Sequence, residues 1–367
     1  MPFSCLKPFG PFETSSNAFL QNPLLDTSSD RICLLGAPQV GKSSFAFEMT
    51  KHFKSPIYID YNDMRLNKSS LSAWLLKWHL EKKMDLLILD NISQLDFSLP
   101  KIPKIVLIPS LLSPFKIPQD FTPYYTLGLI FKEYITSFKP NTPKNMLFNR
   151  FLKEGNTLDL RFFESHNERE KTLQKQKNIK LAFQTYAPLL SKICIHQSHF
   201  TTAFYLYTQL KKELKISKDT LYKFLHILEE KRLIFLVPNF ENNKTKLYLY
   251  DFALPYHLTS NPSLLSVFEN MVFLELYKQF PYYQIRTKDN GLFILLENSV
   301  PKLALIAHVF PTPAFLNKQL LWCEKHALKT LIVSINGDSK SDNQIFSKAY
   351  KHMSFIEFSL NIKSILV

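Results

Sequence analysis

The stretch Gly36-Ala37-Pro38-Gln39-Val40-Gly41-Lys42-Ser43 fits G-x-x-x-x-G-K-[ST], a pattern that demands a strand, a tight loop and the start of a helix in that order. Its flanks agree. Ile32, Cys33, Leu34 and Leu35 lead in as an apolar run, and Ser44-Phe45-Ala46-Phe47-Glu48-Met49 follows with helix-compatible residues. In such a loop successive backbone N–H groups point into a concavity, and the next helix adds the positive end of its dipole. Polyphosphate is the chemistry that fits. Gly36, Ala37, Pro38, Gln39, Val40, Gly41, Lys42, Ser43 and Ser44 are therefore the candidate ATP-binding residues. Lys42 is expected to reach the β- and γ-phosphates, and the Ser43 hydroxyl to ligate Mg²⁺. The chain has only 7 glycines, and two fall at the required spacing, which argues against a chance match.

A chain of 367 residues with 46% hydrophobic content can bury two or three separate cores. No apolar run approaches the ~18 residues of a membrane span, and the N-terminus has no basic-then-apolar leader pattern. Cys5, Cys33, Cys194 and Cys323 lie far apart, with no C-x-x-C pair. They read as reduced thiols, so a cytoplasmic protein without a membrane partner is expected. The net charge of +14 admits a nucleic-acid partner. Against that, the lysines are spread along the whole chain, and the excess of Phe, Leu, Ile, Asn and Lys over Gly has the look of genome composition bias.

Residues 1–30 form an entry arm rich in Pro, Ser, Asn and Phe. From Arg31 strands and helices alternate. Residues 56–61 read as a strand, 70–83 as a helix with Leu71, Trp74, Leu75, Trp78 and Leu80 apolar, 86–89 as a strand ending on Asp90, and 105–108 as a strand closed by Pro109-Ser110. Short all-apolar strands separated by helices predict a parallel sheet covered on both faces. The fold class is α/β, with a P-loop domain over 31–140. Asp90 ends its strand at the carboxyl edge, where ligands bind, and is the second candidate for the Mg²⁺ shell. Many such ATPases carry a glutamate at the next position. Here it is Asn91, whose amide cannot accept a proton. Turnover is expected to be slow, Asn91→Glu to raise it, and Glu133 or Asp63 to be the carboxylates able to substitute.

Residues 166–180 are charged and read as a solvated helix or linker within a helical stretch at 141–197. Across 198–250 the pattern changes. Ser217 is a good N-cap with Asp219 near the helix dipole, and Leu221, Phe224, Leu225 and Leu228 follow on one helical face. Apolar strands at 233–237 and 246–250 flank a polar turn. Helix, turn, helix and a two-stranded wing make a winged helix. If it contacts DNA, Lys218, Thr220 and Lys223, with Tyr222 and His226, form the exposed side of the second helix, although Asp219, Glu229 and Glu230 dilute its charge. From 251 to 367 the chain is α/β again: a helix at 264–279, strands at 282–285, 292–295, 303–306 and 330–333, and a helix at 315–326.

In this order the parts resemble a prokaryotic family of AAA-type ATPases whose C-terminal region combines a winged helix with a restriction-endonuclease-like fold. The likeness rests on the phosphate loop, Ile59-Asp60-Tyr61-Asn62-Asp63, Leu89-Asp90-Asn91-Ile92, Leu129-Ile130-Phe131-Lys132-Glu133-Tyr134, Phe151-Leu152-Lys153-Glu154-Gly155, Leu247-Tyr248-Leu249-Tyr250-Asp251 and the helix from Phe268 to Leu276. The resemblance implies an AAA-type nucleotide domain and a nuclease-like domain. The departures are chemical. Asn91 replaces the family's glutamate, and no arginine stands between Thr122 and Leu127. Where the nuclease pattern needs metal carboxylates and a lysine, this chain has Leu292-Phe293-Ile294-Leu295 and Ala307-His308. The expected protein is an ATP-binding switch with weak or conditional hydrolysis and a nuclease-shaped domain without nuclease activity. A DNA-binding module, or an interaction scaffold for a protein partner with a residual nucleotide site, is the alternative.

Overall fold

The computed structural model describes residues 29–160, 167–337 and 350–365. The chain divides between Leu127 and Gly128 into two compact units. In the first, β1 (Arg31–Gly36) is followed by α1 (Lys42–Met49), β2 (Pro56–Asp60), α2 (Leu71–Leu80), β3 (Leu86–Ile92), β4 (Lys104–Pro109) and β5 (Thr122–Thr126). The five strands form one parallel sheet in the order β2-β3-β4-β1-β5.

Both faces of this sheet are covered, which is why its strands carry apolar residues at nearly every position. Ile32, Leu34, Tyr58, Ile88 and Val106 pack with Phe45, Ala46 and Met49 of α1. The alternate positions Cys33, Ile59, Leu87, Leu89, Ile105 and Leu107 pack with Leu71 and Leu75 of α2. Period-two alternation then fixes where the carboxylates go. Asp90 follows Ile88, and Asp60 follows Tyr58, so both belong to the α1 face. They are direct neighbours in the register of β2 on β3. β5 was not expected: its Pro123 and its polar ends hide it, and it takes an edge position, where a strand proline is tolerated.

The second unit contains α3 (Phe131–Ile135), α4 (Lys144–Glu154), α5 (Glu168–Phe183), α6 (Ala187–Cys194), β6 (Phe200–Thr201), α7 (Ala203–Leu210), α8 (Lys218–Glu230), β7 (Ile234–Pro238), β8 (Thr245–Leu249), α9 (Leu254–Leu258), α10 (Leu264–Gln279), β9 (Gln284–Lys288), β10 (Leu292–Glu297), β11 (Val300–Ala307), α11 (Pro313–Lys325), β12 (Lys329–Ser334), β13 (Tyr350–Ser354) and α12 (Phe355–Ile365). α7 and α8 precede an antiparallel β7–β8 hairpin that β6 extends. A five-stranded sheet ordered β13-β12-β11-β10-β9 is antiparallel over β9–β11 and parallel from β11 to β13.

The segment at 128–140, grouped with the phosphate loop on sequence, packs inside this second unit. The Phe131 ring meets Phe148, Phe151 and Phe355 at 5.5–6.1 Å. Its N–H donates to Glu275 Oε1 at 2.6 Å, and Ser359 and Gln279 donate to Oε2 of the same carboxylate. Burial pushes the Glu275 carboxyl up to about 7, against the opposing pull of these donors. The folded state therefore holds a proton that the unfolded chain releases at a lower pH. This contribution to stability is complete below the unfolded value and is lost as pH rises through about 7. Glu275→Gln, which keeps an acceptor for Phe131, is expected to gain about 2 kcal/mol over the wild type at pH 8 and almost nothing at pH 4. Urea midpoints of the pair across that range measure it.

Candidate phosphate-binding site

The loop takes the geometry its glycines permit. Gly36 has φ +134°, and a Cβ there would collide with the Thr126 carbonyl of the neighbouring β5. Gly41, the N-cap of α1, has φ 94°. Side chains resist both conformations. Ala37 and Val40 are buried and anchor the loop, whereas Gly41, Lys42, Ser43 and Ser44 stay half-buried at its rim. The Lys42 ammonium donates to the Gly36 and Ala37 carbonyls at 2.9 and 2.5 Å, stitching the start of the loop to its end. The first amide of α1 to find an intrahelical acceptor is Phe45, on Gly41 at 2.8 Å. The amides before it are the helix N-terminal donors that an anion can use.

Asp90 lies two strands from β1 because β4 is inserted between them. It is 1% exposed. Its Oδ2 accepts from the Tyr58 hydroxyl at 2.5 Å and its Oδ1 from the Asn91 N–H at 2.8 Å. Burial raises the Asp90 carboxyl above the ordinary range, while hydrogen bonds from Ser43 and Tyr58 pull it down. The Tyr58 phenol is raised by its own burial and then by the Asp90 charge. Ser43 and Asp90, expected to share a metal, are thus in contact. A hydroxyl and a carboxylate are the hard oxygen donors Mg²⁺ takes when phosphates and water complete its shell, so the residues present fit that ion. Among the described residues no group of three His, Cys, Asp or Glu side chains forms a cage for a metal.

No family model and no curated protein matches the sequence. Among solved structures the chain is similar to a Walker-type ATPase of Pyrococcus abyssi, at 13% identity and a TM-score of 0.43, over 63% of this chain and 91% of that one.

Asn91 sits in a bulge where the β3–β4 register shifts, with φ 56°, a left-handed conformation that asparagine tolerates better than most residues. Its Nδ2 donates to Asp60 Oδ1 at 2.9 Å. A glutamate here would meet the Asp60 carboxylate and strain the bulge, which opposes the gain expected from Asn91→Glu. The two proposed substitutes are also engaged. Asp63 forms a paired contact with Arg65 at 2.7 and 3.0 Å, and Glu133 accepts from Lys278 at 2.6 Å within the second unit. Sequence reasoning missed Tyr58 as a partner of Asp90 and Asp60 as a partner of Asn91. Only the pairing of β2 with β3 brings them together.

The candidate nucleic-acid residues Lys218, Thr220, Tyr222, Lys223 and His226 are all exposed on α8. Ser217 caps this helix by accepting the Thr220 N–H at 3.1 Å, and the Thr220 hydroxyl lies 2.7 Å from Ser217 Oγ. The Lys218 ammonium lies 5.4 Å from the Tyr222 ring centre. Leu221, Phe224, Leu225 and Leu228 are buried as the spacing requires. No helix among the described residues is long and apolar enough to cross a membrane.

Proposed function

We propose that this protein binds ATP with Mg²⁺ at Gly36–Ser44 and acts as an AAA-type nucleotide-dependent switch with weak or conditional hydrolysis. The observation carrying this reading is the half-open loop stitched by Lys42, with the Ser43 hydroxyl beside Asp90. Backbone donors and Lys42 hold the phosphates. Ser43 and Asp90 are the residues that would hold Mg²⁺, whose charge would neutralise that of the phosphates. Asn91 explains slow turnover, since its amide is committed to Asp60 and cannot take a proton. Calorimetric titration with ATP and with ADP in Mg²⁺, beside a phosphate-release assay, tests the reading. Binding of both with slow release is expected. Absence of binding heat together with no ATP-dependent rise in melting temperature removes it.

The exposed lysines and Tyr222 of α8, ahead of the β7–β8 hairpin, favour a second reading in which a winged helix contacts DNA. Gel-shift affinity that falls steeply with salt and weakens on Lys218→Ala and Lys223→Ala is its signature. The β9–β13 sheet is read as a nuclease-like domain without nuclease activity, because Leu292, Phe293, Ile294 and Leu295 are buried apolar residues where carboxylates are needed.

A further inference from the structure

We infer that Asp60, held by Asn91, is the carboxylate that orients the attacking water in this site. The inference rests on the ATP-binding reading above and assigns the group that its chemistry otherwise lacks.

Hydrolysis of a nucleoside triphosphate needs an acceptor beside the water. The position after Asp90 cannot supply one. Asp90 itself is spent, buried and hydrogen-bonded to Tyr58 and the Asn91 amide. Asp60 is different. It ends β2 at the carboxyl edge of the sheet and pairs directly with Asp90 in the strand register, about 4.8 Å away by strand spacing. It shares the α1 face, the face of Ser43. It is half-buried, not sealed.

Its hydrogen bonds leave one oxygen available. Oδ1 accepts from Asn91 Nδ2 and from the Asn62 N–H, both at 2.9 Å. Two donors on one oxygen hold the carboxyl group in place and leave Oδ2 to accept from another donor. Asn91 therefore acts as a positioning residue: its left-handed backbone aims the amide at Asp60 instead of at the phosphate.

The step balances with water and the triphosphate alone. The water oxygen forms a bond to the γ-phosphorus while the bond from that phosphorus to the bridging oxygen breaks. The bridging oxygen keeps the electron pair and leaves with ADP. The water proton passes to Asp60 and then to solvent.

Asp60→Asn preserves an oxygen for Asn91 and Asn62 to donate to, but not the base. At saturating ATP its kcat is expected to fall about 100-fold, while its calorimetric Kd for ATP in Mg²⁺ stays within about threefold of the wild type. Asn91→Ala is expected to lower kcat about tenfold with the same unchanged Kd. Wild-type turnover in Asp60→Asn overturns the inference. So does loss of ATP binding in that variant, which would make Asp60 a binding group, and so does a wild-type protein that binds ATP without releasing phosphate. A wild type that does not bind ATP fails earlier, at the reading of the loop itself.

Discussion

Lys42→Ala is expected to abolish the stabilisation that ATP gives this protein. A ligand at a hundredfold excess over its Kd raises the unfolding free energy of the site that holds it by about 2.7 kcal/mol. In a thermal scan that is a shift of several degrees for a unit the size of the first one. The ammonium has two tasks in this structure. It stitches Gly36 and Ala37 through their carbonyls, and in the proposed reading it also faces the phosphates. Its loss removes the charge facing the β- and γ-phosphates and loosens the loop that presents the amides. The loosening alone is small, because Lys42 is half-exposed and its bonds are to neutral carbonyls, each worth about 1 kcal/mol net. The ligand-free variant should therefore melt within a few degrees of the wild type and fail to respond to ATP. A variant that still gains the wild-type shift would show that the nucleotide is held elsewhere.

Asp90 gives a contrasting outcome at the same site. Its removal should leave the loop able to bind nucleotide but weaken the dependence on Mg²⁺, since Tyr58 and Ser43 then lose their acceptor. In the proposed reading Lys42 serves the phosphates and Asp90 the ion.

How much of this was legible in the sequence depends on the range of the interaction. The strands β1 to β4 could be placed from their residues, because a doubly covered strand must be apolar throughout, and Leu86, Leu87, Ile88 and Leu89 have no other reading. The cap of α8 was legible because Ser217 and Thr220 are three residues apart. β5 was not. Its sequence, Thr122-Pro123-Tyr124-Tyr125-Thr126, has no apolar run, and it exists as a strand through pairing with β1. β13, Tyr350–Ser354, is similarly polar and owes its place to β12. The strand expected at 282–285 lies at Gln284–Lys288, where Arg286 and Lys288 obscure the alternation. At the site, the loop was readable as a local motif. The Asp60–Asn91 and Tyr58–Asp90 contacts were not, since they span 31 and 32 residues and depend on which strands become neighbours. Charge misled most in α5. Its run of Lys, Glu and Gln reads as a solvated surface, yet Lys175, Ile179 and Phe183 are buried.

Lys175 carries the other large effect. Its side chain is 0% exposed. The ammonium meets Asp251 Oδ2 at 2.7 Å and Asp159 Oδ1 at 3.0 Å, and it donates to Thr157 Oγ1. These carboxylates are buried as well, and Asn178 and Ala253 complete their hydrogen bonding. Two buried acids on one cation leave a net negative charge that only this network compensates. Lys175→Met fills the space but strands both carboxylates, and breaking a buried pair from one side typically costs about 3–5 kcal/mol. Loss of that size is expected in the urea denaturation of the variant at pH 7. It should be much smaller in the triple variant Lys175→Met, Asp159→Asn, Asp251→Asn, where no charge is left unpaired, because groups in one network are strongly non-additive. The acid limb supplies an independent sign. Burial pushes the Asp159 carboxyl up, but the Lys175 ammonium together with hydrogen bonds from Asn178 and Thr157 holds it below its ordinary value. Its contribution is therefore present above the unfolded carboxylate range and is lost as pH falls through the lower folded value. Lys175→Met removes that pull, so its stability should begin to recover relative to the wild type as acid protonates the stranded carboxylates. A cost that stays constant between pH 7 and pH 3 would mean that Lys175 contributes packing and not charge.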